Sequence, residues 1–204
     1  YQKLYVYAIE YAWKSNEHAI QSQNPNYLVL SYIRIARANG DVDIEESIKC
    51  YERAIHIADE HNLMNLKATA LIEIAGRYKD SRKKDYEKAL LAIKEAMKIR
   101  QTDQTYVVFG DLFRKMNIPD SAYYYLDKAA KSKNIHTSRS AYQSLYYLSE
   151  KLGNYKKAVE YSNALWERQD SINRLASNKA LIEMQEKYDQ QRVRDEFTHK
   201  MLLK

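Results

Sequence analysis

The sequence is poor in the residues that turn or break a polypeptide chain. It contains only four glycines and two prolines in 204 residues. A sandwich or barrel of many short strands needs frequent tight turns, and these turns depend largely on glycine and proline. Alanine, leucine, lysine, glutamate and tyrosine are abundant instead. The composition therefore predicts an all-α protein.

Cysteine and long hydrophobic runs are scarce as well. The single cysteine, Cys50, excludes an intramolecular disulfide and a cysteine-rich zinc site, and its place in a helical pattern predicts a packing residue. No run of about 18 uninterrupted apolar residues occurs, so no segment has the composition of a membrane-spanning helix. With 45% hydrophobic and 29% charged residues, the chain can bury a continuous core.

The glycines are too far apart to form a phosphate-binding loop. They lie at positions 40, 76, 110 and 153, so neither GxGxxG nor GxxxxGK[ST] is present. Gly40 and Gly153 fall between predicted helices, where we expect the left-handed backbone of a helix cap. Gly110 stands where two helices would cross closely, and Gly76 lies near the equivalent place in its own hairpin.

The motifs of common enzymes and metal sites are also missing. The sequence has no HExxH, no GxSxG and no paired spacing of its five histidines, which are His18, His56, His61, His136 and His199. Asp41–Glu45 resembles the start of a calcium loop, but the sixth position is Glu46 instead of glycine. Asp43 is better explained as a helix N-cap, with Glu46 completing a capping box. We expect no catalytic residue, metal or cofactor.

Small residues recur in pairs seven positions apart, on what we predict to be the second helix of successive hairpins. The pairs are Ser47 and Ala54, Ala89 and Ala96, Ala122 and Ala129, and Ala158 and Leu165. The preceding helices carry a large residue followed three and four positions later by an apolar and usually small doublet. These sets are Tyr32-Ile35-Ala36, Leu71-Ile74-Ala75, Tyr106-Phe109-Gly110 and Tyr142-Leu145-Tyr146.

The large residues Tyr32, Leu71, Tyr106 and Tyr142 are separated by 39, 35 and 36 positions. This spacing is close to the roughly 34-residue period of a tetratricopeptide repeat (TPR) array. Over residues 28–168 the chain resembles the TPR family. The resemblance implies a right-handed superhelical solenoid of about four hairpins, at 27–61, 65–99, 102–132 and 138–168, which together form a repeat domain at 27–168.

Single helices flank the predicted repeats. Residues 1–26 are expected to form a helix, as a degenerate repeat, with a buried stripe of Leu4, Tyr7, Ala8, Tyr11, Ala12 and Ala19. Residues 169–204 are expected to form a long capping or connecting helix. Its first half should cover the exposed face of the last hairpin. Its apolar members are Ile172, Leu175, Leu181, Ile182, Met184, Tyr188, Val193 and Phe197.

The resemblance also implies where a partner would bind. The positions that the family assigns to its concave groove are Ile33, Arg34, Arg37, Ile72, Glu73, Val107, Val108, Asp111, Gln143, Ser144 and Tyr147. The carboxylate clamp of chaperone-binding family members does not transfer, because the second hairpin offers Ile72, Glu73 and Gly76. Most of the 19 tyrosines are expected in the core, including Tyr78, Tyr86, Tyr106, Tyr124, Tyr142 and Tyr155.

The expected function is therefore protein or peptide binding without catalysis. In plan, the chain resembles the TPR portion of bacterial signalling and regulatory proteins, so we expect a sensory or scaffold region. The alternatives are a free-standing adaptor and a peptide-gated regulator of an enzyme or DNA-binding partner. Any membrane attachment would come from a segment after residue 204, and the compartment, periplasmic or cytoplasmic, stays open.

The net charge of +6 raises the question of nucleic acid. Basic residues alternate with acidic ones along nearly every helix, so we expect no direct nucleic-acid binding. One local cluster, the basic loop Arg82, Lys83 and Lys84, lies in an insertion at 79–85 of the second hairpin. Such a loop would attract an acidic partner or an anionic surface, and salt would weaken that attraction.

Overall fold

The computed structural model describes the backbone of residues 2–80 and 82–202 and the side chains of residues 5–80, 82–192 and 194. Over this part of the chain it contains nine α-helices and no strand. They are α1 (Gln2–Gln21), α2 (Pro25–Asn39), α3 (Ile44–Glu60), α4 (Met64–Tyr78), α5 (Tyr86–Ile99), α6 (Asp103–Lys115), α7 (Pro119–Ala130), α8 (Ile135–Lys151) and α9 (Tyr155–Leu202). The all-α prediction is confirmed.

The helices form two compact units, Tyr1–Ser132 and Lys133–Lys204. In the first unit α2 packs on α3, α4 on α5 and α6 on α7, so three consecutive hairpins form. Neighbouring hairpins also touch through their first helices, α2 with α4 and α4 with α6, and α1 packs on α2. In the second unit α8 and α9 pack as a hairpin. Within the first unit, the result is a solenoid-like stack of helix pairs. The boundary between the two units falls after residue 132, whereas the sequence pattern changes after residues 26 and 168.

Small residues let the helices of each hairpin approach closely. Ser47, Ala54, Ala89 and Ala96 are fully buried, as the seven-residue spacing predicts. Gly110 on α6 is in closest contact with α7, because a Cβ built there would lie 2.6 Å from Leu126 Cγ and 3.1 Å from Leu126 N. Each hairpin is therefore held by the packing of small residues against large neighbouring side chains.

Residues other than glycine supply most of the left-handed turns. Gln23, Asn62, Lys84 and Asn117 have φ between 52° and 62°, and each lies in a connection between two helices. Two glycines were predicted to have a left-handed backbone. Gly153 has this conformation, with φ of 71°. The prediction for Gly40 is wrong, since its φ is −53°. Gly40 instead provides room, because a Cβ there would lie 2.6 Å from Arg77 Nη1.

Local sequence sets several helix starts. Asp43 caps α3 by accepting a hydrogen bond from the Glu46 backbone N–H, as predicted. The Glu46 carboxylate accepts a contact of 3.5 Å from the Cys50 thiol. Cys50 is buried, as predicted, and burial raises the pKa of its thiol to about 12. Pro119 begins α7, where its missing N–H costs no helical hydrogen bond.

The predictions for the tyrosines and for α1 are partly wrong. Tyr124 and Tyr155 are 55% and 71% exposed, although both were expected in the core. On α1 the buried residues are Ala12, Asn16 and Ala19, whereas Ala8, Tyr7 and Tyr11 face outward. Ala12 and Ala19 of the predicted stripe are therefore buried as expected, whereas residues 5–8 are exposed on every side of the helix. The side chains of Leu4, Val193, Phe197 and the segment 200–204 lie outside the described residues.

The last helix is a single element of 48 residues, so the fourth hairpin continues into the C-terminal helix without a break. It is half-buried in places up to Ile172, and every residue from Asn173 to Arg192 is exposed. The expectation that its first half covers the last hairpin therefore holds only up to Ile172. Among the described helices, none is both long and apolar enough to cross a membrane.

Candidate functional site

The first helices of the three hairpins in the first unit share one face, and this face contains a pocket of about 340 Å³. Four of the predicted groove residues line it together: Arg37 from α2, Ile72 and Glu73 from α4, and Val108 from α6. We call this surface of α2, α4 and α6 the inner face. The predicted residues of these three helices therefore converge on one site, with an apolar part and a charged part.

One side of the pocket is an ion pair that joins α2 to α4. Arg37 Nε donates a hydrogen bond of 2.8 Å to Glu73 Oε2, and Arg37 Nη2 makes a second contact with Glu73 Oε1. Tyr51 on α3 donates its hydroxyl to Glu73 Oε2 at 2.7 Å. Burial and the charge of Glu73 raise the pKa of Tyr51, so this hydroxyl stays protonated. These bonds hold the charges of Arg37 and Glu73 in fixed positions.

The other side is a three-residue ion cluster between α4 and α6. Lys79 Nζ lies 2.5 Å from Asp111 Oδ2, and Arg114 donates to Asp111 Oδ1 from Nε at 2.8 Å and from Nη2 at 2.6 Å. Burial alone would raise the pKa of Asp111, but the charges and hydrogen bonds of Lys79 and Arg114 lower it to about 2. Asp111 is therefore ionised at neutral pH and anchors two cations.

Other predicted groove residues have different roles. Ile33 and Val107 are only 2% and 7% exposed, so they support the inner face from the core and present little surface to a partner. Arg34 is exposed and faces a different pocket, of about 420 Å³, between α1 and α2, with its Nη1 3.4 Å from Ser15 Oγ. The three remaining residues, Gln143, Ser144 and Tyr147, belong to α8 in the second unit.

The basic loop is largely engaged by its own protein. Arg82 binds the Asp80 carboxylate from Nε at 3.0 Å and the Gly40 carbonyl from Nη2 at 3.0 Å. Lys83 forms an ion pair with Glu45 on α3. Lys84 occupies the left-handed position of the turn and is exposed. Two of the three cations thus fasten the insertion to the turn between α2 and α3, which leaves less positive charge for an acidic partner.

Six residues that line the pocket were not among the predicted groove residues: Asp41, Tyr51, Gly76, Arg77, Lys79 and Gln104. A Cβ at Gly76 would have nothing within 4 Å, so this glycine leaves open space in the pocket. Arg77 Nε is buried and has no hydrogen-bond partner among the described residues. The signal for Gly76 was available, because glycine inside a helix is unfavourable and calls for a reason such as close approach of another group.

The chemistry of this pocket is recognition of charge and shape. Arg37, Glu73 and Lys79 are held by ion pairs and hydrogen bonds, Arg77 has no such partner among the described residues, and Ile72 and Val108 provide an apolar floor. Within the described residues, no group of three or more His, Cys, Asp and Glu side chains is placed to hold a metal ion. An arrangement of fixed charges around apolar side chains suits a ligand that carries both an apolar and a charged group.

Comparison with known proteins adds information on the fold. No protein-family model and no curated protein matches this sequence. Among solved structures, the chain is similar to BtubC (BKLC) from P. vanneervenii, with a TM-score of 0.61 and 19% sequence identity over 84% of this chain and 73% of that one. At this level of identity, the similarity supports the all-α fold and carries no information about function.

Proposed function

We propose that this protein is a TPR-type module that binds a segment of another protein on the inner face of α2, α4 and α6, without catalysing a reaction. The observation that carries the proposal is the pocket of about 340 Å³, in which Ile72 and Val108 lie beside two fixed charge clusters. Its volume fits one or two side chains of a larger ligand. Stacked helix hairpins commonly present such extended surfaces to peptides and helices.

The pattern of charges supports a bound segment with a defined direction. The Arg37–Glu73 pair and Lys79, which is bound to Asp111, line the pocket together with Ile72 and Val108. Because each cluster is held by its own ion pairs, neither has to reorganise when a ligand arrives. Fixed charges of this kind contribute mainly to orientation and specificity, whereas apolar contacts supply much of the affinity.

We further propose that the module is the sensory or scaffold region of a bacterial signalling or transcriptional regulator. The support comes from α9, whose described residues after Ile172 are all exposed up to Arg192 and so serve no packing role in this chain. A helix of this kind is suited to connect the module to another part or partner. A membrane span or an output domain encoded after residue 204 would support this context, and a stop codon there would favour a free-standing adaptor.

The proposed binding surface can be tested by filling the pocket from its open position. Gly76→Leu places a side chain where a Cβ meets nothing within 4 Å, so we expect the variant to fold and the pocket to be blocked. Asn65→Leu, at an exposed position of the same helix, is the matched control. Both would be compared with the parent protein in selections from a display library of random twelve-residue peptides.

We expect the parent protein and Asn65→Leu to enrich the same peptides, and Gly76→Leu to lose them, with at least a tenfold weaker affinity for the best synthetic peptide. Circular dichroism and thermal melting of all three proteins would check that each is folded. The proposal is wrong if no peptide is enriched by the parent protein, or if Gly76→Leu binds the enriched peptides as tightly as the control does.

A further inference from the structure

We infer that the pocket on the inner face takes an acidic side chain of the bound segment, and that Arg77 is the counter-ion of that carboxylate. The inference rests on the proposed function and names the ligand chemistry of the same site. The observation behind it is that the cations lining the pocket differ in whether they have a carboxylate partner. Arg37 and Lys79 are bound to carboxylates of this protein, whereas Arg77 makes no ion pair among the described residues.

Arg77 is an unusual residue to leave without a partner. Its Nε is buried, and leaving a buried donor without an acceptor is energetically unfavourable. Its Nη1 lies against Gly40, at a position that any larger residue would have to share. Absence of a side chain at Gly40 thus provides the room that the guanidinium occupies. The protein keeps a strong, fixed donor group beside an open pocket.

The charges around the pocket favour a single carboxylate. The pocket and the ion cluster beside it contain four cations and three carboxylates. The cations are Arg37, Arg77, Lys79 and Arg114, and the carboxylates are Asp41, Glu73 and Asp111. The nearby Asp80 carboxylate also interacts with Arg77 but is hydrogen-bonded to Arg82, so the cations still exceed the carboxylates by one when this pair is included. An arginine can bind a carboxylate through two parallel hydrogen bonds, which are among the stronger polar contacts that proteins make.

The depth of the donor favours an aspartate or glutamate side chain over the C-terminal carboxylate of a peptide. Arg77 lines the pocket and its Nε has no exposed surface, so a carboxylate that pairs with this guanidinium has to enter the pocket. A side chain does so while the peptide backbone stays in water. A terminal carboxylate would instead take its own peptide unit down to the apolar floor of Ile72 and Val108, where the backbone polar groups would need new partners.

The space beside Arg77 fits this ligand. Gly76 precedes Arg77 on α4 and leaves the entrance open, since nothing lies within 4 Å of a Cβ built there. The methylene groups of a glutamate would pass over Ile72 and Val108, which line the same pocket. We therefore expect bound segments to carry an acidic residue at a fixed spacing from an apolar one.

The experiment compares peptide selection by the parent protein, by Arg77→Met and by Arg77→Lys, with two random twelve-residue display libraries. In one library the peptides end in a free carboxylate, and in the other a constant neutral segment follows them. We expect the parent protein to enrich Asp or Glu at an internal position in both libraries. Arg77→Met should enrich peptides with the same apolar residue but without the acid preference, and Arg77→Lys should keep part of that preference.

The enriched peptide and its Glu→Gln (or Asp→Asn) form would then be synthesised and measured against each protein. We expect the parent protein to bind the acidic form at least tenfold more tightly than the amide form, and Arg77→Met to bind both equally. Thermal melting would check that each variant folds, and Arg77→Lys serves as the readout if the methionine variant does not.

Each alternative outcome has a distinct meaning. Equal preference for the acidic form by the parent protein and by Arg77→Met would overturn the inference, and so would enrichment of acid only at a free C-terminus. The parent protein could instead enrich peptides that lack an acidic residue and that the Gly76→Leu variant does not bind. This result would agree with the proposed function and refute the role of Arg77. Failure of the parent protein to enrich any peptide would refute both proposals.

Discussion

Gly76 and Gly110 stand at neighbouring points of the repeat pattern but serve opposite purposes. A Cβ at Gly110 would lie 2.6 Å from Leu126 Cγ and 2.9 Å from its Cδ2, so α6 and α7 leave no room for it. A Cβ at Gly76 would meet nothing within 4 Å. One glycine allows two helices to cross closely, and the other keeps a pocket open at the cost of helix stability.

Alanine substitution should separate these two roles. We expect Gly110→Ala to lower the free energy of unfolding by about 1–3 kcal/mol, because the new methyl group has to displace Leu126 in a packed core. Gly76→Ala should raise it by about 0.5–1 kcal/mol, the usual gain from replacing a glycine inside a helix. Urea unfolding followed by circular dichroism measures both. Equal effects of the two substitutions would contradict the assigned roles.

The Asp111 carboxylate makes the free energy of unfolding depend on pH in the acidic range. Its pKa is about 2 in the folded protein and 3.8 when unperturbed, so the unfolded chain binds the proton more readily. The resulting stabilisation is present above pH 4 and is lost as the pH falls toward 2. We expect Asp111→Asn to cost on the order of 2 kcal/mol at neutral pH and to make the loss of stability between pH 4 and pH 2 less steep.

Unfolding curves at several pH values would check this expectation, with Asp127→Asn as the control. Asp127 lies on the exposed side of α7, and a surface substitution of this kind usually changes stability by less than about 0.5 kcal/mol. If Asp111→Asn showed the same acid dependence as the parent protein, the ion cluster with Lys79 and Arg114 would not stabilise the fold in the way described.

At the residue scale, sequence reasoning succeeded where local spacing decides the outcome. Three of the four predicted pairs seven apart are buried, because two turns of a helix place them on one side, whereas Leu165 of the fourth pair is only half-buried. Arg77 was not found, because a long side chain acquires its role from the helix it packs against. Its position depends on Gly40, which lies 37 residues earlier in the chain.

At the scale of the helix, α1 shows why an apolar stripe alone does not identify the buried face. The predicted stripe contained Ala12 and Ala19, which are buried, but also Tyr7, Ala8 and Tyr11, which are exposed. The structure buries Ala12, Asn16 and Ala19. Asn16 donates a hydrogen bond of 2.8 Å to Ser31 Oγ on α2, so a polar residue at the contact is satisfied by its neighbour. Such a pair cannot be recognised from one helix alone.

This assignment of faces on α1 gives a direct prediction. We expect Tyr7→Gln combined with Tyr11→Gln to change the free energy of unfolding by less than about 0.5 kcal/mol for each residue, because both rings are exposed. Ala12→Leu should cost about 1–3 kcal/mol, because it adds volume to a packed contact. Thermal or urea unfolding of the parent protein and of the two variants would measure these changes in the free energy of unfolding. A larger loss from the tyrosine substitutions than from Ala12→Leu would mean that the other face is the buried one.

At the scale of the whole molecule, the repeated hairpins were predictable and the course of the last helix was only partly so. The hairpins follow from a period that recurs through the chain. The sequence pattern predicted that the C-terminal helix packs over the last hairpin along its first half, but packing ends at Ile172. Leu175, Leu181, Ile182 and Met184 are exposed, although their residue types resemble those of a buried stripe. Apolar composition shows that a helix is able to pack and leaves open what it packs against.

The exposed part of α9 should therefore open more easily than any packed helix. Local ion pairs, such as Arg174 with Asp170 at 3.1 Å and Lys179 with Glu183 at 3.8 Å, add only a few tenths of a kcal/mol each. A helix without tertiary contacts is marginally stable in water. We expect backbone amides at 173–192 to exchange with solvent at least a hundredfold faster than those of the buried part of α8, which serves as the internal control.

Hydrogen exchange measured by mass spectrometry at two protein concentrations would test this expectation. Fast exchange at both concentrations would agree with a connecting helix, since none of the described residues buries the segment 173–192. Protection equal to that of α8 would contradict the expectation. If that protection increased with concentration, its source would be a second copy that covers Leu181, Met184 and Tyr188, because only association between molecules depends on concentration. The segment would then be an assembly element, and its exposed apolar residues would be explained by the partner they bury.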